Sequence, residues 1–339
     1  MAICESAIRT GSLSFHAASK LLPASVRKPA LVLYAFCRLA DDAVDEGADP
    51  VQAVLRLQER LDRAYAGRPF DVAIDRAFAR LIVATDLPRA LPDALLEGFA
   101  WDAEGRRYDT LSGVLDYSAR VAAVVGVMMC VLMGVRDRHR LARACDLGLA
   151  MQLTNIARDV GEDARNGRIY LPLDWLREGG IDPDTFARSP APVPEVRAMT
   201  DRLLREASRF YTRAEPGIAA LPLGCRPGIY AARHIYDGIG GRIRAQGCDS
   251  ITQRATTGKG AKLGWLALSA LQAGLSVVQP RMATIYARPT PEVAFLVEAA
   301  ARDGAGAARS DALMEALARL RAQDIATRRS ALQLDRRRA

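Results

Sequence analysis

One acidic stretch organises this chain: residues 152–163 read QLTNIARDVGED. Within it, Asn155, Asp159 and Asp163 recur at every fourth position. On a helix these three side chains lie on one face, about 6 Å apart at each step. The same face continues backwards to Gly148 through apolar or neutral positions. The pattern therefore predicts a helix whose oxygen-bearing side chains face the interior of the protein.

Carboxylates on a buried face need a counter-charge. Unpaired, they are costly to bury, and neighbouring negative charges oppose each other's ionisation. Bound cations would remove both costs, and carboxylate and amide oxygens suit Mg²⁺ or Mn²⁺. We therefore interpret Asn155, Asp159 and Asp163 as metal ligands.

A second acidic cluster lies near the N-terminus. Asp41, Asp42 and Asp45 follow an apolar helical run, residues 34–40, and the face of Asp41 and Asp45 continues backwards along that run. One such cluster alone is most often a solvated surface, but two on apolar faces favour a site. Magnesium shared between them would keep coordination positions for a diphosphate. We interpret Asp41 and Asp45 as ligands, with Asp42 as a further candidate.

Length and charge limit the function classes. The chain has 339 residues, 50% of them hydrophobic, and a formal net charge of +8. Such a chain can bury one large core, and we expect a single domain over residues 1–339, with its core at about 10–300 and a basic tail at about 301–339. The positive balance indicates an anionic partner. Because no zinc finger or RNA-binding signature occurs, a phosphorylated substrate or an anionic membrane surface is favoured over nucleic acid.

Helical periodicity with abundant Ala and Leu predicts an all-α protein. The Pro-rich stretch 179–194 is expected to be a surface loop. Predicted helices cover about 24–45, 50–65, 72–84, 92–107, 111–134, 138–164, 193–220, 227–246, 260–278, 291–302 and 309–333.

The expected compartment is the cytoplasm. No signal peptide is recognisable, and six cysteines without a CxxC pair are typical of buried thiols in a reducing environment. Two long uncharged runs, 121–135 and 263–280, are predicted to be buried helices rather than membrane spans. No strand–GxGxxG–helix unit for a nicotinamide cofactor is present.

These motifs resemble the squalene/phytoene synthase family, most closely its bacterial phytoene synthase members. The resemblance covers about residues 10–265 and departs at Ser118, where the family often has Cys, and at Phe99, where Met is common. The matching positions are Ser14-Phe15, Arg38 with Asp41 and Asp45, Gly98–Asp102, Tyr108, Tyr117, Val121-Ala122, Val125-Gly126, Thr154–Asp163 and Gly167–Pro172, with a weaker match at Tyr230–Ile243, Arg254 and Lys259–Leu263.

The resemblance implies a single-domain isoprenoid synthase (class I terpenoid synthase) fold around a central cavity. It implies a prenyltransferase that condenses two geranylgeranyl diphosphates head to head, via prephytoene diphosphate, to phytoene, the first committed step of carotenoid biosynthesis. The cofactor would be Mg²⁺ or Mn²⁺, without NADPH. Partners would be the prenyl diphosphates, a peripherally bound membrane surface and other carotenoid-pathway enzymes.

Site roles follow from the same resemblance. We expect the metal-binding acids and Tyr117 to act in catalysis, and aromatic faces such as Tyr34, Phe36, Tyr117 or Trp101 to stabilise an allylic cation. Catalytic residues are thus Asp41, Asp45, Asp159, Asp163 and Tyr117; substrate-binding residues are Arg38, Arg158, Arg168, Tyr34 and Asn155; metal ligands are Asp41, Asp42, Asp45, Asn155, Asp159 and Asp163.

Three alternatives stay open. A dehydrosqualene or squalene synthase acting on two farnesyl diphosphates would use the same acids, because the residues do not distinguish C15 from C20 substrates. A class I terpene cyclase or a chain-elongating prenyltransferase would also use them. A non-catalytic helical scaffold would explain the composition, although not acids on apolar faces.

Overall fold

The computed structural model describes residues 17–45, 50–278 and 282–302, with the backbone alone at 40–45, 50, 51 and 259. The chain divides into two units, residues 1–300 and 301–339. Only 301 and 302 of the second unit are described, so the predicted basic tail and the predicted helix at 309–333 lie outside the described residues.

Throughout the described ranges the regular structure is helical, with no strand. The expected all-α class is therefore confirmed. The α-helices are α1 (Ala24–Asp45), α2 (Pro50–Tyr65), α3 (Ala73–Thr85), α4 (Ala90–Ala103), α5 (Leu111–Ser118), α6 (Val124–Leu132), α7 (Arg138–Arg165), α8 (Leu173–Glu178), α9 (Pro183–Arg188), α10 (Pro194–Ala219), α11 (Arg226–Ala245), α12 (Lys259–Leu275) and α13 (Ala294–Ala300).

The acidic stretch 152–163 lies on α7, as its periodicity predicted. Asp137 caps the helix, because its carboxylate accepts the backbone N–H of Arg140 at 2.9 Å. The helix ends before Gly167, whose φ of 78° is a left-handed conformation that glycine adopts without strain. Helix α7 packs most extensively against α10 and also contacts α6, α11 and α13. It is therefore the central element of the fold.

Beside α7 runs a continuous helical segment. Helix α5 leads into a π-helical turn, Ala119–Ala123, and then into α6. Together, Leu111–Leu132 is the one helix in the described chain long and apolar enough to cross a membrane, with a mean hydropathy of 1.7. However, 67% of its most apolar 18-residue stretch is buried inside the protein. Its apolar character is explained by a core position.

A missing side chain allows α7 and this segment to touch. A Cβ at Gly148 would lie 2.5 Å from the Cα of Ala123 and 2.9 Å from the carbonyl carbon of Ala122. No larger residue fits without separating the backbones. The crossing places the π-turn directly against the middle of α7, and π-turns are frequent at functional sites.

The run 263–280, expected to be a buried helix, instead exposes Leu263, Leu271 and Leu275 on α12, so that expectation was wrong. Two further local expectations also differ from the structure. The Pro-rich stretch 179–194 contains a short helix, α9, which Asp182 caps by accepting the Thr185 backbone N–H at 2.8 Å. Gly134, expected inside a helix, instead follows the end of α6 with a φ of 72°. Both differences reflect capping geometry, which periodicity alone does not reveal.

The close crossing predicts the effect of one methyl group. Gly148→Ala should lower the free energy of unfolding by about 1–3 kcal/mol, because the two backbones must separate. Gly264→Ala on α12 is the matched control, since nothing lies within 4 Å of its Cβ position. The control should raise stability by up to about 1 kcal/mol. Urea unfolding of both variants checks this, and equal stability would contradict the proposed crossing.

Candidate functional site

A cavity of about 1050 Å³ lies between α1, α4, the α5–α6 segment, α7, α10 and α11. It exceeds the usual range of small-molecule sites, about 300–1000 Å³. Its α7 lining extends from Arg140 to Glu162, which is about 33 Å at 1.5 Å per residue. The cavity is therefore long enough for extended apolar molecules.

The predicted inward faces line this cavity. From α7, Gly148, Asn155 and Asp159 contribute to the wall, and from α1, Tyr34 and Arg38 do so. Both helices thus present the faces that the acid spacing indicated.

The second acidic cluster continues α1 beyond these lining residues. The backbone at Asp41, Asp42 and Asp45 is helical, whereas their side chains lie outside what the structure describes. Their assignment as ligands stays a prediction.

Asp159 is neutralised by two arginines. Arg158 donates from Nε to Oδ1 at 2.9 Å and from its terminal nitrogen to Oδ2. Arg254 donates from Nε to Oδ1 at 2.8 Å. Burial raises the pKa of Asp159, but the hydrogen bonds from Arg158 and Arg254 outweigh burial and hold the pKa below its usual value. This carboxylate is therefore ionised and paired at neutral pH.

Asp163 lies one turn beyond the main cavity. It lines a small second cavity together with Arg168, Ile169 and Tyr170. Burial, and next the negative charge of Asp159, raise the pKa of Asp163 to about 7. Predicted as a phosphate-binding residue, Arg168 lines this second cavity rather than the main one.

A hydrogen-bonded group that the sequence interpretation missed lies on the cavity wall. The Asp102 carboxylate accepts the Tyr117 hydroxyl at 2.9 Å and the Tyr170 hydroxyl at 2.7 Å. The two rings stack at 4.9 Å, and burial raises the pKa of both phenols. A usable signal existed, because Leu95, Phe99 and Asp102 share one face of α4 and all line the cavity.

A loop brings the missed residue Arg254 to Asp159. The Gly161 backbone N–H donates to the Ser250 carbonyl at 3.0 Å, and Arg165 donates to the Ile251 carbonyl at 3.1 Å. A Cβ at Gly161 would stand 2.7 Å from the Ile251 Cα. The glycine of the acidic stretch thus lets this loop approach α7 closely.

Basic and aromatic side chains also meet at the cavity. Arg38, Arg140, Arg143, Arg158, Arg254 and Lys262 belong to its lining, and two of these, Arg158 and Arg254, bring positive charge to Asp159. The lining aromatic residues are Tyr34, Phe99, Tyr117 and Tyr236.

Two aromatic residues expected to stabilise a cation lie elsewhere, so this part of the prediction was wrong. Phe36 stacks on Phe78 at 3.9 Å between ring centroids. The guanidinium groups of Arg106 and Arg120 lie over the Trp101 ring at 3.9 and 4.2 Å. Neither ring lines the cavity.

The inner end of the cavity contains a buried ion cluster. Arg143 lines the cavity, and its Nε lies 2.7 Å from Asp146, with both side chains fully buried. Arg213 approaches the same carboxylate at 3.3 Å. Burial raises the pKa of Asp146 to about 6 although both arginines act against it. This cluster lies more than three turns of α7 away from Asp159.

The oxygen donors suit a hard cation. In residues 17–45, 50–278 and 282–302, no three described His, Cys, Asp or Glu side chains are grouped closely enough to hold a metal ion. Asn155 and Asp159 nevertheless place amide and carboxylate oxygens at the charged end of the cavity, and the donor chemistry fits Mg²⁺ or Mn²⁺. Chemically, an apolar chamber with a charged mouth suits a long apolar molecule with an anionic head.

Comparisons with known proteins agree with this arrangement. The sequence matches the squalene/phytoene synthase family model over residues 8–261. It is 61% identical to the phytoene synthase of Cereibacter sphaeroides, covering 95% of this chain and 93% of that protein. It is 57% identical to the phytoene synthase of Rhodobacter capsulatus, covering 96% of each.

Solved structures show the same fold. A dehydrosqualene synthase in complex with a ligand has a TM-score of 0.72 at 27% identity, covering 81% of this chain and 96% of that one. Squalene synthase HpnC from Alicyclobacillus acidocaldarius has a TM-score of 0.66 at 27% identity, covering 72% and 93%.

The raised pKa of Asp163 predicts a pH effect on stability. When a chelator keeps metal ions away, the Asp163 carboxyl of the folded chain stays protonated up to about pH 7. An aspartate in the unfolded chain ionises near pH 4. The folded state then binds more protons between these values, so the contribution of Asp163 to stability falls as pH rises from about 4 to 7. Asp163→Asn lacks this effect and should gain stability relative to wild type over that window. Urea unfolding at several pH values checks it, and a constant difference would contradict it.

Proposed function

The chain belongs to the squalene/phytoene synthase family, and we propose that within it the chain acts as a phytoene synthase. It is a prenyltransferase that condenses two geranylgeranyl diphosphates head to head, via prephytoene diphosphate, to phytoene. The product enters carotenoid biosynthesis as its first committed intermediate. The observation that supports this most is the long apolar cavity whose charged end contains Asp159, Arg158 and Arg254.

The diphosphates bind at the charged end. Arg38, Arg158, Arg254 and Lys262 offer positive charge and donors for phosphate oxygens. Arg168 is kept as a candidate for the same role from the neighbouring small cavity. Of these, Arg158 and Arg254 have a double function, because they also neutralise Asp159.

The residues that would hold divalent cations come from both acidic helices, α7 and α1. Asn155, Asp159 and Asp163 on α7, with Asp41, Asp42 and Asp45 on α1, would hold Mg²⁺ or Mn²⁺. When bound, the cations neutralise the diphosphate and make it a better leaving group. Arg158 and Arg254, which pair with Asp159 in this structure, would be the nearest donors for phosphate oxygens if Asp159 held a cation instead.

The apolar walls protect the carbocation that forms when diphosphate departs. Apolar side chains of the α5–α6 segment and α7 line the cavity, and such walls keep water away from a cation. The faces of Tyr34, Phe99, Tyr117 and Tyr236 supply cation–π stabilisation. Tyr117 positions the substrate, and its hydroxyl is itself held by Asp102.

The last cation loses a proton rather than gaining a hydride, so NADPH is not needed. Diphosphate oxygen, or a water held near it, is the proton acceptor. The protein works in the cytoplasm. Because substrates and product are lipid-like, it is peripherally attached to a membrane and lies near other carotenoid-pathway enzymes.

Product analysis distinguishes this proposal from its nearest alternative. With geranylgeranyl diphosphate, Mg²⁺ or Mn²⁺ and no NADPH, we expect a C40 triene with a central double bond. A dehydrosqualene synthase is a close structural neighbour, so farnesyl diphosphate is the competing substrate to test. Preferential formation of a C30 product would replace the phytoene assignment. A stall at the cyclopropyl diphosphate until NADPH is supplied would indicate a reductive enzyme.

The role of Asp159 is tested by an isosteric change. Asp159→Asn should fold but lower kcat by about 100-fold or more, since positive charge at the leaving group is worth several kcal/mol in the transition state. Asp184→Asn is the matched control, because Asp184 pairs with Arg107 in a surface salt bridge away from the cavity. The control should keep full activity. Near-normal turnover of Asp159→Asn at saturating Mg²⁺ would remove Asp159 from the ligand set.

A further inference from the structure

Helix α12 is amphipathic, but its apolar side faces outward and its polar side faces the protein, which is the reverse of an ordinary surface helix. Its outward positions are all Gly, Ala, Leu or Val, and this surface includes Leu263 and Leu271, which are 69% and 62% exposed. Exposure continues past the helix end, with Val278 80% exposed. We call this surface the α12 apolar face; it consists of residues 260, 261, 263, 264, 267, 268, 270, 271, 274, 275, 277 and 278.

The polar residues of α12 face inward, where they have partners. The Gln272 amide nitrogen donates to Glu215 at 2.5 Å, and its oxygen lies 2.7 Å from the His234 ring. The Ser276 hydroxyl accepts from Arg226 at 2.9 Å. These bonds fix the rotation of α12 about its axis. The outward leucines are therefore a built feature of the fold rather than a misplaced core face.

Close packing holds α12 in the same orientation. A Cβ at Gly238 of α11 would lie 2.2 Å from the Trp265 ring, so the indole occupies the space of a missing side chain. Conversely, Cβ atoms built at Gly260, Gly264 and Gly274 meet nothing within 4 Å. Among the described residues, nothing covers the outward side at these three positions.

The chain segment that contains this face carries charge of one sign. No Asp or Glu occurs from residue 250 to residue 291, whereas that stretch contains five basic residues. An apolar face on a segment with basic and no acidic residues of its own is complementary to a membrane whose headgroups are anionic, although Arg254 of this segment is already paired with Asp159 and Glu162. A face that pairs with a second copy of the chain would bring these like charges together, which is unfavourable. The basic residues are Arg254, Lys259, Lys262, Arg281 and Arg288.

The α12 apolar face begins beside the charged end of the cavity. Thr256, Thr257 and Lys262 line the cavity, and Leu263 follows at once on the outward side. A lipid-like molecule therefore has a short path between the apolar face and the cavity.

We propose that the α12 apolar face is the surface by which this protein docks on membranes with anionic lipids, lying flat with its leucines among the headgroups and upper acyl chains. The proposal rests on the proposed function, since lipid-like substrates and product give such docking its purpose. Apolar insertion supplies most of the affinity, and the basic residues add an attraction that salt screens.

Vesicle binding by the full chain tests the proposal. We compare wild type with the triple variant Leu263→Gln, Leu271→Gln and Leu275→Gln on vesicles of phosphatidylcholine with one third phosphatidylglycerol. Loss of three inserted leucines should weaken binding about 100-fold. Vesicle binding by wild type should be weaker in high salt and on pure phosphatidylcholine, but it should remain detectable in both conditions. The matched control is Leu55→Gln, Val83→Gln and Leu223→Gln, which changes residues of comparable exposure elsewhere, 51%, 82% and 54%, and should bind as wild type does.

Two further measurements keep the outcomes separate. Phytoene formation from detergent-dispersed substrate should be equal in all three proteins, because none of the substituted residues lines the cavity. If none of the three proteins formed phytoene, the proposed function would be overturned but the docking result would stand. Light scattering reports the oligomeric state. Equal vesicle binding by the α12 variant and wild type would overturn the docking proposal. The docking proposal would also be overturned if wild type formed an oligomer that did not bind vesicles and if the α12 substitutions dissociated that oligomer.

Discussion

Negative charge on the inward side of α7 must be compensated, and the site is arranged around that constraint. The structure shows two forms of compensation. At Asp159, two guanidinium groups provide positive charge and keep the carboxylate ionised. At Asp163, burial and the negative charge of Asp159 raise the pKa to about 7, so below that pH a proton neutralises the carboxylate. A divalent metal bound there, as we propose, would supply the same compensation in place of the arginines and the proton.

The cavity depends on close backbone contacts beside those acids. Gly148 lets α7 meet the π-turn, and Gly161 lets the loop with Arg254 reach α7. At each contact, a glycine lacks the side chain that would otherwise hold the two backbones apart. The walls of the cavity can therefore be thin and the cavity long. Asp102, held by Tyr117 and Tyr170, fixes the opposite wall. The shape of the cavity thus depends on glycines at backbone contacts and on the hydrogen bonds of Asp102, as well as on the bulky side chains that line it.

Features with a local cause could be predicted from the sequence. The bounds of α7 were expected at 138–164 and are Arg138–Arg165, because periodicity and the Asp137 cap act within a few residues. Asp102 and Arg254 were missed as site residues because their places depend on packing between segments distant in sequence. Phe36 was misplaced for the same reason, since its ring pairs with Phe78 on another helix. The π-turn also escaped prediction, because one extra residue per turn leaves no clear mark in an Ala- and Val-rich run.

The most direct measurement is anomalous diffraction from crystals grown with Mn²⁺ and a non-hydrolysable geranylgeranyl thiolodiphosphate. We expect Mn²⁺ on the oxygens of Asp159 and its neighbours on α7, the diphosphate among Arg158 and Arg254, and the prenyl tail along α7 toward Arg143. Arg158 and Arg254 should then have turned from Asp159 to phosphate oxygens. A diphosphate bound at the inner end beside Arg143, or Mn²⁺ bound away from α7, would contradict the proposed site.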